Sequence, residues 1–195
     1  KTLHQYGIAR IYHPDDGRKM GLQGMINDLV RKADFPINND KYSVSPKEIK
    51  KLNYKAISRS ISSYENCFDF KKDLSFFFKK ESESSKSFVL GVTGTGGAGK
   101  SSFVDEIIRR MLNDFKSIKI GVVCVDPSKK KSGGALLGDR IRINSSFNKR
   151  VYMRSMATRR SNMSLSKSIS DTLSVMQSAN FDIIILETSG IGQSD

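Results

Sequence analysis

Along residues 88–195, apolar runs of strand length alternate with stretches where apolar residues recur every three or four positions. FVLGVTG (88–94), IKIGVVCVD (118–126) and FDIIILE (181–187) are near-continuous apolar runs with no polar alternation, the pattern of strands buried on both faces. Between the first two, Phe103, Ile107, Ile108, Met111, Leu112 and Phe115 share helical spacing. Leu165, Ile169, Leu173 and Met176 mark a second helix near 164–179. Apolar strands separated by amphipathic helices predict an α/β fold with a parallel sheet covered on both sides. No internal repeat is visible.

The first 87 residues have two other textures. Residues 1–35 read as a short strand, IARIY (8–12), a turn at HPDDG (13–17) and a helix from about Leu22 to Lys32. Leu22, Met25, Ile26, Leu29 and Val30 give that helix one apolar face. Such a strand, turn and helix resembles the last unit of an α/β domain. With a first residue Lys1 and a last residue Asp195, the expectation is a piece of a longer polypeptide. Residues 36–87 open on a breaker cluster, PINND, and continue with a helical pattern at Ile49, Leu52, Ala56, Ile57 and Ile61. Ser45, Pro46 and Glu48 have the order of a capped helix start. The polar run KKESESSKS (79–87) follows, so 36–87 reads as a helical connector and 88–195 as a separate domain.

Charge tests a nucleic-acid reading. The chain of 195 residues carries 33 Lys and Arg against 20 Asp and Glu, a net +13. Residues 1–87 hold 17 basic and 11 acidic groups and residues 88–195 hold 16 and 9, so the halves are +6 and +7. An excess spread so evenly is that of a solvated surface. Residues 129–160 are denser, with ten Lys or Arg and one acid, Asp139. Their aromatics, Phe147 and Tyr152, are too few for a base-stacking platform, which disfavours nucleic acid as a partner. No apolar run has membrane-spanning length. Cys67 and Cys124 lack metal-ligand spacing, and Cys124 reads as a buried reduced thiol. These features predict a cytoplasmic protein with no membrane partner.

The chemistry concentrates after the first apolar run. Gly94, Thr95, Gly96, Gly97, Ala98, Gly99, Lys100 and Ser101 fit GxxxxGK[ST], with a strand before and a helix starting near Lys100 after, and Ser102 is a further nucleotide-binding candidate. Glycine torsions turn successive N–H groups inward to cradle phosphate oxygens, and the helix aims its positive end at the same place. Lys100 adds charge at the outer phosphates, and Ser101 offers a hydroxyl to Mg2+. Asp126 and Glu187 end the second and third apolar runs. In a parallel sheet these ends line the ligand crevice, where a carboxylate holds Mg2+ or orients water. Asp139 lies between them in sequence and is a further candidate, while Gly190 and Gly192 suggest a mobile loop. Lys100, Glu187 and Asp139 are the candidates for catalysis, and Ser101, Asp126, Asp139 and Glu187 those for the metal. His4 sits in HQYG, the tail of a cobalt-ligating D-x-H-x-x-G pattern, but Thr2 replaces its acid, so His4 reads as a surface or packing residue. His13 reads as a turn residue.

Residues 88–195 resemble the G-protein chaperones of adenosylcobalamin-dependent acyl-CoA mutases, a P-loop class. The resemblance rests on GVTGTGGAGKSSF, VDPSKKKSGGALLGDRIRIN, YMRSMATRRSNMSLSKS and ILETSGIGQSD. YMRSMATRRSN with ETSGIGQSD is similar to the form fused inside isobutyryl-CoA mutases. YGIARIYHPDDG with GLQGMINDLVRKAD resembles the end of a flavodoxin-like cobalamin-binding domain. The resemblance implies a P-loop GTPase domain (88–195, its N-terminal part), a helical linker (36–87) and the end of a cobalamin domain (1–35). It implies GTP as substrate, Mg2+, the full set of candidate residues for catalysis and the metal, and adenosylcobalamin in the full-length protein only. It also implies mutase and cobalamin-binding domains as partners in the same polypeptide, a homodimer, and 129–160 as a switch-like segment. Guanine selection rests on family, because the [NT]-K-x-D segment lies beyond the third strand in such proteins. A stand-alone GTPase, a kinase of the same loop class and a basic nucleic-acid-binding domain remain alternatives.

Overall fold

The computed structural model describes residues 2–35, 44–65, 72–126, 143–157 and 162–188. Asp139, Cys67, Gly190, Gly192 and most of the predicted switch-like segment lie outside these residues. The chain divides into two compact units, Lys1–Tyr42 and Ser43–Asp195.

The first unit holds α1 (Thr2–Gln5) and α2 (Pro14–Ala33). The strand predicted at 8–12 does not form, and these residues are irregular. A strand is stable only within a ladder, and this unit's other described elements are helices. Arg10 instead stacks on the Tyr12 ring, 4.9 Å from its centroid, and pairs with Asp16 at 3.2 Å. The predicted turn at 13–17 is the first turn of α2. His13 is its N-cap: the ring accepts from Asp15 N, and the Asp16 carboxylate accepts from His13 N. At Gly21 the backbone leaves the helical region (φ 64°, ψ 171°), and the helix resumes at Leu22, where periodicity begins it. His4 is exposed and its Nδ1 lies 2.7 Å from Ile8 O. Leu22, Ile26, Leu29 and Val30 are all exposed and α2 contains no buried residue.

The second unit opens with α3 (Pro46–Lys50), α4 (Tyr54–Glu65) and α5 (Lys72–Glu83). Ser45 caps α3 by accepting from Glu48 N at 3.4 Å. The reciprocal half of the expected capping box is not made, because the Glu48 carboxylate accepts from Asn53 Nδ2 at 3.3 Å. The apolar periodicity suggested one helix through Leu52, yet Leu52 takes φ 56° and splits it. Asn53 Oδ1 then accepts from Lys55 N and Ala56 N, restarting the helix as α4.

The sheet contains β1 (Phe88–Val92), β2 (Ile120–Asp126), β3 (Val151–Ala157) and β4 (Ile183–Thr188). Its order is β1-β4-β2-β3 and every pairing is parallel. The crossovers use α6 (Lys100–Asp114), a short 3-10 turn (Asn144–Phe147) and α7 (Asn162–Ser178). Alternation along each strand divides the core. Val122, Cys124, Met153, Ile183 and Ile185 pack with Val104, Ile108 and Leu112 of α6. Val123, Val125, Tyr152, Met156 and Ile184 face the other way. That second face is covered by α7 together with Ile57 and Ile61 of α4 and Leu74 and Phe78 of α5. Two of the apolar residues at helical spacing fall outside the core: Phe103 on α6 and Phe115, its C-cap, are exposed.

The helices before β1 thus bury side chains in the same core as the sheet. Phe78→Ala is expected to cost about 3–5 kcal/mol, whereas Phe76→Ala on the same helix, at an exposed position, stays within about 0.5 kcal/mol. Denaturant titration of both variants checks this. In the first unit, the Lys32 ammonium above all, and then the Tyr12 hydroxyl, hold the Asp28 carboxyl below the usual carboxylate range. Its stabilising contribution is present at neutral pH and is lost as pH falls through the depressed value. Lys32→Ala is expected to raise the Asp28 pKa more than Tyr12→Phe does, read by carboxyl NMR titration.

Candidate nucleotide-binding site

The loop between β1 and α6 is built from residues 93–99. Gly94 takes φ 151° and Gly99 takes φ 82°, torsions that side chains with a Cβ rarely adopt. Gly99 is the N-cap of α6, and no side chain caps that end. The N–H groups of the first turn, including those of Lys100, Ser101 and Ser102, therefore keep their hydrogen-bonding capacity for a ligand. The helix dipole adds to it, and a phosphate group matches both. Thr95, Gly96, Gly97 and Ala98 are exposed, so a ligand can reach the loop. A weak turn, Ala98 N to Thr95 O at 3.3 Å, folds it on itself.

Lys100 donates from Nζ to Gly94 O at 2.7 Å and Thr95 O at 2.9 Å. Both acceptors are loop carbonyls, so the ammonium is held across the loop and near the phosphate cradle. Gly94 faces the stem of this lysine, and a Cβ there would lie 3.7 Å from Lys100 Cδ.

Glu187 is the next-to-last residue of the interior strand β4 and is only 6% exposed. Ser101, one residue into α6, donates its hydroxyl to Glu187 Oε1 at 2.8 Å. The other carboxylate oxygen, Oε2, lies 3.8 Å from Cys124 Sγ on β2. Cys124 and Glu187 are register partners, which explains the approach. Sequence reasoning read Cys124 only as a buried thiol. Its burial is observed, but its place beside the acid depends on strand order, which a strand's own sequence does not carry. Asp126 ends β2, one register step beyond the Val125–Thr188 pair, so its backbone lies at the same end of the sheet. Asp139 is outside the described residues. Among those residues no cluster of three or more His, Cys, Asp and Glu is present. Ser101 and Glu187 still fit Mg2+, which takes hard oxygen ligands from one or two protein groups and completes its shell with phosphates and waters.

A parallel sheet whose first strand feeds a GxxxxGKS loop and helix, with a buried acid on the neighbouring strand against the loop serine, defines a P-loop nucleotide-binding protein. The family described as methylmalonyl-CoA mutase-associated GTPase MeaB matches residues 67–195, and the chain belongs to it. The match begins before β1, consistent with a second unit that includes α5.

Relatives extend the likeness. A fused isobutyryl-CoA mutase of Geobacillus kaustophilus (strain HTA426) is 50% identical over 204 residues, covering 100% of this chain and 18% of that protein. A fused isobutyryl-CoA mutase of Cupriavidus metallidurans is 41% identical over 197 residues, again 100% of this chain and 18% of that protein. The chain thus spans about a fifth of the length of these relatives. In fold it is similar to the crystal structure of an LAO/AO transport system kinase, with a TM-score of 0.55 at 22% identity over 76% of this chain and 43% of that one.

The site predicts separable effects. Lys100→Ala is expected to weaken nucleoside triphosphate binding at least tenfold, read by fluorescence titration. Ser101→Ala leaves the buried Glu187 carboxylate short of a donor and costs about 1–3 kcal/mol of stability, read by thermal unfolding without nucleotide.

Proposed function

We propose that this chain is a Mg2+-dependent GTP-hydrolysing chaperone module that acts on an adenosylcobalamin-dependent acyl-CoA mutase carried in the same polypeptide. The observation that carries the reading is the Ser101–Glu187 hydrogen bond beneath the phosphate loop. It supports a division of labour among named residues. The loop N–H groups bind the phosphates, and Lys100 neutralises charge that builds on them in the transition state. The Ser101 hydroxyl and the carboxylates of Glu187, Asp126 and Asp139 would hold the metal and its waters. Held there, Mg2+ would supply neutralisation of the phosphate charge. Glu187 and Asp139 orient the attacking water.

Membership of a mutase-associated GTPase family supports guanine as the base and supports the chaperone role. The fused mutases similar along the whole chain support a further assignment. Residues 1–35 are the end of a cobalamin-binding domain, 36–87 join it to the GTPase domain while burying α4 and α5 in that domain's core, and 88–195 carry the domain's sheet and phosphate loop. The full-length protein interconverts isobutyryl-CoA and n-butyryl-CoA as a cytoplasmic homodimer, and its GTPase domain gates cofactor loading and protects the mutase from inactivation. The apolar face of α2, exposed in its own unit, is what a helix at the edge of a larger α/β domain presents. Among the described residues no helix is long and apolar enough to cross a membrane.

Phosphate release in the presence of GTP, ATP and no other acceptor tests the core of this reading. Hydrolysis of GTP over ATP, abolished by EDTA and restored by Mg2+, is the expected outcome. Turnover that requires an added acceptor identifies a kinase and overturns it. Glu187→Gln is expected to retain GTP binding and to lower kcat by a factor of about 100 or more, comparable to removing a charge-stabilising group in other active sites.

A further inference from the structure

Among the described residues, Cys124 touches the Glu187 carboxylate and has no part in the scheme above. Three observations place it there. It is opposite Glu187 in the β2–β4 register. It is 1% exposed, on the sheet face that packs against α6. Its Sγ lies 3.8 Å from Oε2, while Oε1 takes the Ser101 hydroxyl. The two carboxylate oxygens are therefore held by different elements: one by the helix that carries the phosphate loop, the other by the adjacent strand.

We propose that Cys124 is a positioning residue, its thiol donating to Glu187 Oε2 and fixing the rotation of the carboxylate from which Glu187 serves the metal. The inference rests on the assignment of Glu187 to the Mg2+ site. The physical need follows from burial. A nearly enclosed carboxylate requires donors, and the Ser101 hydroxyl has a second task if it ligates the metal. A thiol is not a hard oxygen ligand for Mg2+, so on β2 it can keep Oε2 oriented whichever partner Ser101 takes. A thiol suits the position. It is a weak donor that packs as a small hydrophobe among Val122, Ile185 and Val104, and it leaves the carboxylate its full charge.

The test uses the protein with Cys124→Ala, which removes the donor, and Cys124→Ser, which keeps one. The first readout is the Mg2+ concentration giving half-maximal binding of a non-hydrolysable GTP analogue. Cys124→Ala is expected to raise it about fivefold, the size of a weak hydrogen bond to a charged group. Cys124→Ser is expected to stay within about twofold of the parent protein, and metal-free nucleotide affinity to stay constant in both. A purely structural role predicts instead that Ala and Ser lower the unfolding temperature without moving the Mg2+ midpoint. That result overturns the proposal.

The second readout is the infrared S–H stretching band assigned by its loss in Cys124→Ser. It is expected at lower frequency in the parent protein than in Glu187→Ala, where the acceptor is gone. An unchanged band means the thiol does not donate to this carboxylate, and the proposal fails. Glu187→Gln separates the two levels of the argument. If it abolishes the Mg2+ dependence while Cys124→Ala does nothing, only the thiol's role is wrong. If Glu187→Gln leaves the Mg2+ dependence intact, the metal assignment fails and the positioning role falls with it.

Discussion

A carboxylate at the end of the most apolar strand is the constraint around which the site is arranged. Ile183, Ile184 and Ile185 carry β4 through the middle of the sheet, and the same strand delivers Glu187 into a nearly closed position. An ionised group there is costly unless it is hydrogen-bonded. Among the described residues it has side-chain partners on α6 and β2, and both are set by backbone geometry. The register aligns Cys124 with Glu187, and the glycine loop starts α6 where Ser101 reaches the carboxylate. Strand, loop and helix are thus tied together at the point where phosphates would lie.

That arrangement needs a rigid sheet, and a parallel sheet needs cover on both faces. On one face α6 is joined by Ile143, just before the 3-10 turn. On the other, α7 shares the work with α4 and α5, which precede the sheet in sequence. Polar ties reinforce the layer. Arg154 on β3 binds Ser62 and Glu65 of α4, Ser58 meets the Tyr152 hydroxyl at 3.0 Å, and Tyr54 donates to Lys149 O at 2.9 Å. The half-buried Arg154 pair matters because β3 runs toward the same end of the sheet as the phosphate loop. A segment that reads as a connector by composition is, in packing, one wall of the nucleotide-binding unit.

The first unit follows other rules. Its order comes from short-range polar contacts: the His13 and Asp16 caps, the Arg10–Tyr12 stack, and Asp28 shared by Tyr12 and Lys32. Its apolar residues stay outside, with Leu3, Tyr6, Ile11 and Leu29 all exposed. Local capping and charge pairing order α2, and among the described residues of this unit no apolar side chain is fully buried.

By itself the sequence determined the phosphate loop, the helix it opens and the strands whose apolar runs are continuous. These are local properties: glycine torsions, helical period and uninterrupted burial are written in neighbouring residues. The sequence also marked Glu187 as a strand-end acid. It did not mark β3, because VYMRSMA carries Arg154 and Ser155 within a basic stretch and lacks a continuous apolar run. It misplaced a strand at 8–12, where a β-favouring composition meets no neighbouring ladder. Only the tertiary structure decided that α4 and α5 cover the sheet and that Cys124 stands opposite Glu187. Strand order and register are agreements between segments about 60 residues apart, made through backbone hydrogen bonds that every residue type can form, so no single segment encodes them.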